Sequence, residues 1–420
     1  MAIEVHERFE TGLPPDDDHP YRSGPWRPQT VEYDAWGMEV VGEIPDDLAG
    51  TYIRNTENPL FEPIRRYHPF DGDGMLHAIT FEGGEARYVN RFVRTEALAA
   101  EQEAKESLWA GITEHPNDAR AAHGWGARSM MKDNASTDVI VHNDVALASF
   151  YQCGELYRVD PRTLADLGTT SWAGWFPPEG VSAHPKLDEH TGDLLFFNYS
   201  TEAPYMHYGV VSAEGELTNY IDVPLPGPRL PHDMAFTENW SILNDLPLYW
   251  DPKSLADGFY RNVFDRDRPS RFGLVPRHGG TDDIRWFEAD PTFVLHFVNA
   301  YEEGNTVVLD GYFQSNPHGD GVPAADPRHK GFETLDFGNL GARAHRWIFD
   351  LNTGQTTEYD LHDRLMEFPM INGRHGGRRH RYSYNALCEP GYFAFDTLVK
   401  FDAETGTEKV RRFDPGVYVS

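Results

Sequence analysis

The 420-residue sequence has no run of eighteen apolar residues, and its first eight residues already mix charged and apolar side chains. Neither a membrane-spanning helix nor a secretory signal peptide is therefore indicated. Only two cysteines are present, Cys153 and Cys388, too few for a disulfide framework. We interpret both as small buried hydrophobic residues in a reducing compartment, and we expect a soluble, cytoplasmic protein.

Positive charge is also scarce. The sequence has 37 Lys and Arg residues against 67 Asp and Glu, which gives a formal net charge of −30, and only seven of the basic residues are Lys. Such a chain would be repelled by a nucleic-acid backbone, so we expect no nucleic-acid partner. A salt-adapted host and a GC-rich genome both produce this composition, and the sequence does not separate them.

Glycine, proline and aromatic residues are plentiful and spread evenly, with 38 Gly, 30 Pro and 13% aromatics, which favours many short strands joined by turns. Four segments share one design, an alternating strand followed by an Asp-x-x-Thr turn that usually ends in Gly. Asp and Thr can bond their own turn backbone, and Gly can adopt a positive φ. These recurring hairpins are typical of a β-propeller. The segments are 157–163, 187–192, 348–354 and 400–406.

Three other segments differ from this pattern. Residues 1–35 are rich in Pro and Asp, and we expect an extended N-terminal arm without regular elements. Residues 95–109 have helical spacing, with Thr95 as the N-cap. The apolar segment 246–272 could form packed strands, or it could line an entry path for an apolar substrate at a membrane surface.

Three histidines each lie in a distinct local motif. His184 lies in VSAHPK (181–186), His232 in LPHDMAFT (230–237) and His296 in FVLHFVNAYE (293–302). The intervals of 48 and 64 residues are too long for a zinc finger or a helical HExxH pair. They suit one metal ligand from each successive sheet of a propeller.

With these motifs, the chain resembles the carotenoid cleavage oxygenase family. The resemblance begins with GTYIRN (50–55) and HPFDGDGMLH (68–77), continues through the three histidine motifs in the family's order, and reaches MEFP (366–369). His68 and His77 flank a family signature without being metal ligands in it, so we interpret them as structural.

The resemblance implies a single all-β domain over residues 1–420, a seven-bladed β-propeller with a small helical cap. It also implies Fe(II) held by four histidines and cleavage of a C=C bond with O2 to give two carbonyl products. His184, His232 and His296 would be three of the ligands. Family members continue past the position of Ser420, so we expect the fourth histidine beyond it, an incomplete last blade, and little or no cleavage by the chain as given.

The resemblance assigns outer partners to the ligand histidines. Neutral imidazoles suit Fe(II) with a position open to O2, and in this family glutamates accept the second ring N–H of the ligands. Glu367 matches one such glutamate. Gln152 stands at another, where its side-chain carbonyl can still accept that hydrogen bond.

The implied substrate is long, apolar and conjugated, a carotenoid or apocarotenoid, with O2 as co-substrate. Stilbene-cleaving members of the family bind the phenol of their substrate with a tyrosine and a lysine. The aligned residues here are Phe92 and Tyr151, so we place stilbenes second as substrates. A calcium-dependent hydrolytic propeller would need clustered Asp, Asn and Glu, and nothing in the sequence indicates them. An inactive binding propeller remains an alternative that iron content would separate from an enzyme.

A peripheral contact with a membrane surface is a further expectation. The basic cluster 374–381 could meet anionic lipid headgroups, although a solvated loop explains it better. The apolar segment 246–272 is the other candidate for such a contact.

Overall fold

The structure, a computed structural model, describes residues 1–121, 132–256, 261–318, 340–388 and 392–419. These ranges consist mainly of antiparallel strands, with few helices, and none of those helices is long and apolar enough to cross a membrane. The chain divides into two compact units, Met1–His184 with Ala213–Glu216, and Pro185–Ser212 with Leu217–Ser420. A single domain over residues 1–420 stays a prediction.

The first unit opens with a five-stranded sheet. The expected arm without elements in residues 1–35 is wrong, because this segment contributes two strands to the sheet. The side chain of Asn90 helps hold the second of them, since it accepts a hydrogen bond from the Tyr33 amide and donates one to the Val31 carbonyl, each at 2.9 Å. The strands are β1 (Ala2–Arg8), β2 (Val31–Trp36), β3 (Gly50–Asn58), β4 (Asp73–Glu82) and β5 (Glu85–Phe92). They lie side by side in the order β1-β2-β5-β4-β3.

Helix α1 (Glu96–Ala104) follows, and it begins as predicted, because the Thr95 side chain accepts a hydrogen bond from the Leu98 amide at 2.9 Å. It ends earlier than predicted, where Lys105 adopts a left-handed φ of 58°. Its role as a cap stays a prediction. The next sheet runs in chain order and contains β6 (Asp138–His142), β7 (Val145–Ser149), β8 (Tyr157–Val159) and β9 (Asp166–Thr169).

The second unit contains four four-stranded antiparallel sheets. The first two hold β10 (Lys186–Leu187), β11 (Leu194–Tyr199), β12 (Met206–Val211) and β13 (Leu217–Asp222), and then β14 (Ala235–Phe236), β15 (Trp240–Asp245), β18 (Ser270–Pro276) and β19 (Arg285–Ala289). The last two hold β20 (Phe297–Glu303), β21 (Thr306–Phe313), β22 (Arg343–Asp350) and β23 (Thr356–Leu365), and then β24 (Glu367–Met370), β25 (Tyr382–Cys388), β26 (Phe395–Asp402) and β27 (Thr407–Arg412).

The described residues form six sheets of four or five strands, so the expected count of seven blades is wrong for them. Two local arrangements depart from a simple repeat of four-stranded sheets. The strands β1 and β2 join the sheet of β3 to β5, and the apolar segment 246–272 inserts the hairpin of β16 (Leu248–Trp250) and β17 (Asn262–Phe264) with helix α2 (Pro252–Ala256) between β15 and β18. Residues 257–260 of that segment lie outside the described ranges. An incomplete last blade stays a prediction.

Aromatic packing joins two neighbouring sheets in the second unit. Phe272 on β18 lies with its ring centroid 5.2 Å from that of Trp347 and 5.4 Å from that of Phe349, both on β22. All three side chains are fully buried. Burying a side chain of this size stabilises the fold by about 1.5–3 kcal/mol. This core fixes the sheets from which two of the candidate histidines extend.

The Asp-x-x-Thr turns form the hydrogen bonds that the sequence predicts. Asp160 Oδ1 accepts bonds from the amide and the hydroxyl of Thr163, both at 2.8 Å, and the corresponding aspartates of the later turns accept bonds from their own turn amides. Gly354 and Gly406 have φ angles of 74° and 67° as expected. The first turn has no glycine, and Leu164 takes the left-handed conformation there with φ of 56°.

Candidate metal centre

The candidate histidines all lie where a loop passes into the first strand of a sheet. His184 lies two residues before β10, His232 three residues before β14, and His296 directly before β20. Glu367 occupies the same place, as the first residue of β24. The repeated position explains the long intervals between the motifs, because each interval is about one antiparallel sheet in length.

The structure brings the three histidines together. One ring nitrogen from each of His184, His232 and His296 lies within 4.8 Å of the others. The rings of His232 and His296 are 5.2 Å apart between centroids and meet edge to face, at 67°. A metal about 2.1 Å from each nitrogen would hold the nitrogens roughly 3–4.2 Å apart, so the group is close to the spacing that one shared ion requires.

Glu367 lies beside His296. The carboxylate Oε2 is 2.8 Å from His296 Nδ1 and also accepts a hydrogen bond from the Phe368 amide at 2.7 Å. Glu367 is fully buried. Burial alone would lower the pKa of His296, but the adjacent carboxylate raises it above its ordinary value. Because a carboxylate only accepts, the proton belongs on Nδ1, and Nε2 carries the lone pair that a metal would take.

A second carboxylate contacts His184, and sequence reasoning missed it. Asp138 Oδ2 lies 2.9 Å from His184 Nδ1. The two residues are 46 positions apart, and nothing near Asp138 resembles a ligand motif. The only local signal is that Asp138 opens β6, as Glu367 opens β24.

An ion pair between a buried aspartate and a partly buried lysine connects the segments next to the histidines. Asp233 Oδ1 lies 2.6 Å from the Lys186 ammonium, and Oδ2 accepts a hydrogen bond from the Phe297 amide at 2.9 Å. The Asp233 side chain is 1% exposed. Lys186, Asp233 and Phe297 lie two, one and one residues after His184, His232 and His296, so this contact ties the starts of the ligand-bearing strands together without a metal.

Gln152, Phe92 and the fourth histidine are further residues that the sequence singled out. Gln152 is buried and hydrogen-bonds the phenol of Tyr151, whose pKa is raised well above its ordinary value by burial. Its contact with a ligand histidine stays a prediction. Phe92 is buried and packs on Phe9, with ring centroids 4.6 Å apart. The fourth histidine, expected beyond Ser420, lies outside the described residues.

His68 and His77 make local bonds, in keeping with their structural interpretation. His68 Nδ1 accepts a hydrogen bond from the Phe70 amide at 3.2 Å, and His77 Nδ1 lies 2.6 Å from the Tyr88 hydroxyl. Burial lowers the pKa of both imidazoles to about 3.

The basic cluster 374–381 is paired with acidic side chains. Arg381 lies 2.8 Å from Asp402, and Arg379 lies 3.0 Å from Glu303. These pairs agree with a solvated loop, and contact with a membrane stays a prediction.

The donor set fits Fe(II) and related divalent metals. Three imidazoles suit iron, cobalt or zinc, whereas calcium and magnesium prefer oxygen ligands. Carboxylates on the outer nitrogens of two of the rings match the usual support of metal-bound histidines. Glu367 Oε1 is buried and has no hydrogen-bond partner among the residues that the structure describes. A buried anion of this kind is better tolerated beside a cation, which is consistent with a positive charge at the histidines.

Comparison with known sequences decides the family. The sequence profile described as retinal pigment epithelial membrane protein matches residues 26–420. The chain belongs to this family of carotenoid cleavage oxygenases. Among its relatives in the family, the carotenoid 9,10(9',10')-cleavage dioxygenase 1 of Pisum sativum is 32% identical over 413 residues, covering 94% of this chain and 73% of the relative. The isoeugenol monooxygenase of Pseudomonas putida is 31% identical, covering 89% and 77%.

Solved structures of family members agree with this assignment. The lignostilbene dioxygenase of Pseudomonas brassicacearum superposes with a TM-score of 0.81 at 27% identity, covering 95% of this chain and 85% of that one. A cobalt-substituted apocarotenoid oxygenase of Synechocystis gives 0.77 at 28% identity, covering 92% and 82%. The carotenoid cleavage oxygenase fold of this chain is therefore an all-β β-propeller with few helices. Membership supports an oxidoreductase.

Proposed function

We propose that this protein is a non-haem Fe(II) dioxygenase that cleaves a C=C bond of a carotenoid or apocarotenoid with O2. The observation that carries the proposal is the group of three histidine nitrogens within 4.8 Å of one another. The family membership supports the reaction type. Bound Fe(II) would supply a centre with a position open to O2, and the overall reaction adds one oxygen atom to each alkene carbon, giving two carbonyl products.

The chain's own residues would hold and orient the imidazoles. His184, His232 and His296 are the proposed ligands. Glu367 holds the proton of His296 on Nδ1 and fixes the rotation of its ring, because one oxygen of this carboxylate contacts both the ring and the Phe368 amide. Neutral imidazole ligands leave the site cationic, which suits the ferrous state. Gln152 would support a ligand in the same way.

Cleavage of a phenolic stilbene or styrene is a second candidate. Its support is the similarity to a lignostilbene dioxygenase and to isoeugenol monooxygenases. Phe92, at the position where stilbene-cleaving members place a tyrosine, has no hydroxyl for a substrate phenol. Tyr151 retains a hydroxyl but cannot supply the positive charge of a lysine. We therefore place this substrate class second.

An oxygen-dependent assay tests the proposal. Protein extended by the segment expected beyond Ser420, purified and reconstituted with Fe(II), is expected to retain iron and to convert an apocarotenal to two carbonyl products, which chromatography would resolve. Parallel incubations with isoeugenol and a hydroxystilbene would distinguish the second candidate. Absence of iron would contradict the proposal and favour an inactive binding propeller, and iron retained without cleavage of any of these substrates would contradict the proposed substrate classes.

Replacing Glu367 with glutamine is expected to weaken the site without emptying it. The amide oxygen can still accept the His296 N–H, but it polarises the ring less, and loss of such a partner typically costs about 10–100-fold in metal affinity or activity. Titration of iron-free protein with Fe(II), together with initial rates of cleavage, would measure the effect. Glu303→Gln, an exposed carboxylate on β20, is the charge-matched control. Full affinity and full activity in Glu367→Gln would refute this role.

A further inference from the structure

We propose that Asp138 is a positioning residue for His184, and that it supports this ligand as Glu367 supports His296. The inference rests on the proposed function. It concerns a carboxylate that neither the sequence motifs nor the resemblance to the family singled out. Its evidence is the contact itself, the anchoring of Asp138 and the backbone conformation of His184.

The two carboxylates make the same pair of contacts. Glu367 uses Oε2 for His296 Nδ1 at 2.8 Å and for the next amide in the chain, that of Phe368. Asp138 places Oδ2 2.9 Å from His184 Nδ1, while Oδ1 accepts a hydrogen bond from the next amide, that of Val139, at 2.7 Å. Each carboxylate is therefore fixed by its own strand and presents an acceptor to the outer nitrogen of an imidazole.

Asp138 is held in place from a second side. The Asn55 side-chain amide on β3 donates to the carbonyl oxygen of Asp138 at 3.3 Å and to that of Ala135 at 2.8 Å. The start of β6 is thereby tied to the neighbouring sheet of the first unit. The Asp138 side chain is 34% exposed and that of His184 15%. This support gives the carboxylate a defined position despite its partial exposure.

The backbone of His184 is unusual in a way that fits this role. His184 has a φ of 58°, in the left-handed region that non-glycine residues rarely adopt. Such a conformation is strained and persists when the surroundings over-determine it, often at functional sites. Because Asp138 only accepts, His184 carries its proton on Nδ1, and Nε2 keeps the lone pair for a metal.

Variants of Asp138 test this inference through metal binding. Asp138→Ala is expected to weaken Co(II) affinity of the iron-free chain by about 10–100-fold and to change the Co(II) absorption spectrum, which reports ligand geometry. Asp138→Asn should also weaken Co(II) binding. In one orientation the amide N–H of the asparagine faces the Val139 amide, and in the other it faces His184 Nδ1, so one of the two hydrogen bonds is lost in either case. Glu43→Gln, which removes an exposed negative charge, should bind Co(II) like the unaltered chain.

A double-mutant comparison separates positioning from a general structural effect. In a His184→Ala background, Asp138→Ala should cause less than about a twofold further loss of Co(II) affinity, because its partner is already gone. An equal loss in both backgrounds, or unchanged affinity and spectrum in Asp138→Ala and Asp138→Asn, would overturn the inference alone. Failure of the unaltered chain to bind either Co(II) or Fe(II) would overturn the proposed function, and this inference with it.

Discussion

Replacing His296 with alanine is expected to remove iron from the protein and abolish oxygen-dependent cleavage. His296 offers a ring nitrogen to the three-histidine group, and its other nitrogen is held at 2.8 Å by Glu367. Its loss would leave the buried carboxylate without its imidazole partner and the metal without a ligand. We expect the same of His232→Ala, whose ring lies 5.2 Å from that of His296.

The expected loss of metal binding and activity is larger than the loss caused by removing a carboxylate that supports a ligand, which typically costs no more than about 100-fold. Iron content by elemental analysis and product yield by chromatography would measure it. His278→Ala, which removes an exposed histidine from the same unit, should retain both. Iron bound at full stoichiometry in both His232→Ala and His296→Ala would mean that the metal lies elsewhere.

The candidate site could be found from the sequence largely because its parts are local. Each of the three histidines lies at the entry to the first strand of a sheet, so a short motif contains both the ligand and the strand that directs it. Glu367 follows the same pattern at β24. Turn chemistry is equally local, which is why the Asp-x-x-Thr turns were predicted from their own residues. Leu164 is the exception, since a non-glycine residue with φ of 56° has no sequence signal.

Contacts between distant segments could not be predicted where no family motif indicates them. Asp138 and His184 meet across 46 positions, and the pairing depends on where β6 begins relative to the loop before β10. The number of sheets could not be predicted from local sequence either. Whether β1 and β2 extend an existing sheet depends on the strand with which they pair, and that strand is distant in the sequence. The prediction of an arm in residues 1–35 failed for this reason. Proline-rich composition marked the loop between these strands and gave no indication of the strands themselves.

Lys132 provides the other large effect that we expect, on stability rather than on the metal. Its ammonium lies 2.6 Å from Asp73 Oδ1 and 2.7 Å from Glu101 Oε2, and these two side chains are 4% and 5% exposed. Asp73 is the first residue of β4 and Glu101 lies in helix α1. The two ion pairs of Lys132 therefore link the helix to the first sheet. Burial raises the pKa of the Asp73 carboxyl to about 6 even though Lys132 opposes that rise.

Replacing Lys132 with methionine should destabilise the fold by about 3–5 kcal/mol at pH 8, because it leaves two buried carboxylates without their cation. The sign of the pH dependence follows from the Asp73 pKa. Without Lys132 that pKa rises further above the unfolded value of about 3.9, so the folded state binds more protons and stability falls as pH rises through the folded pKa. The loss relative to the unaltered chain should therefore shrink at pH 5.

Urea denaturation at the two pH values would measure this difference. Lys105→Met is the matched control, because Lys105 pairs with Glu10 at a site where both side chains are about two-thirds exposed or more, and such a pair contributes only about 0–1 kcal/mol. The triple variant Lys132→Met, Asp73→Asn, Glu101→Gln should recover much of the loss, since it removes the buried charges together. An equal loss at pH 5 and pH 8, with no recovery in the triple variant, would show that Lys132 stabilises the fold through packing and not through its charge.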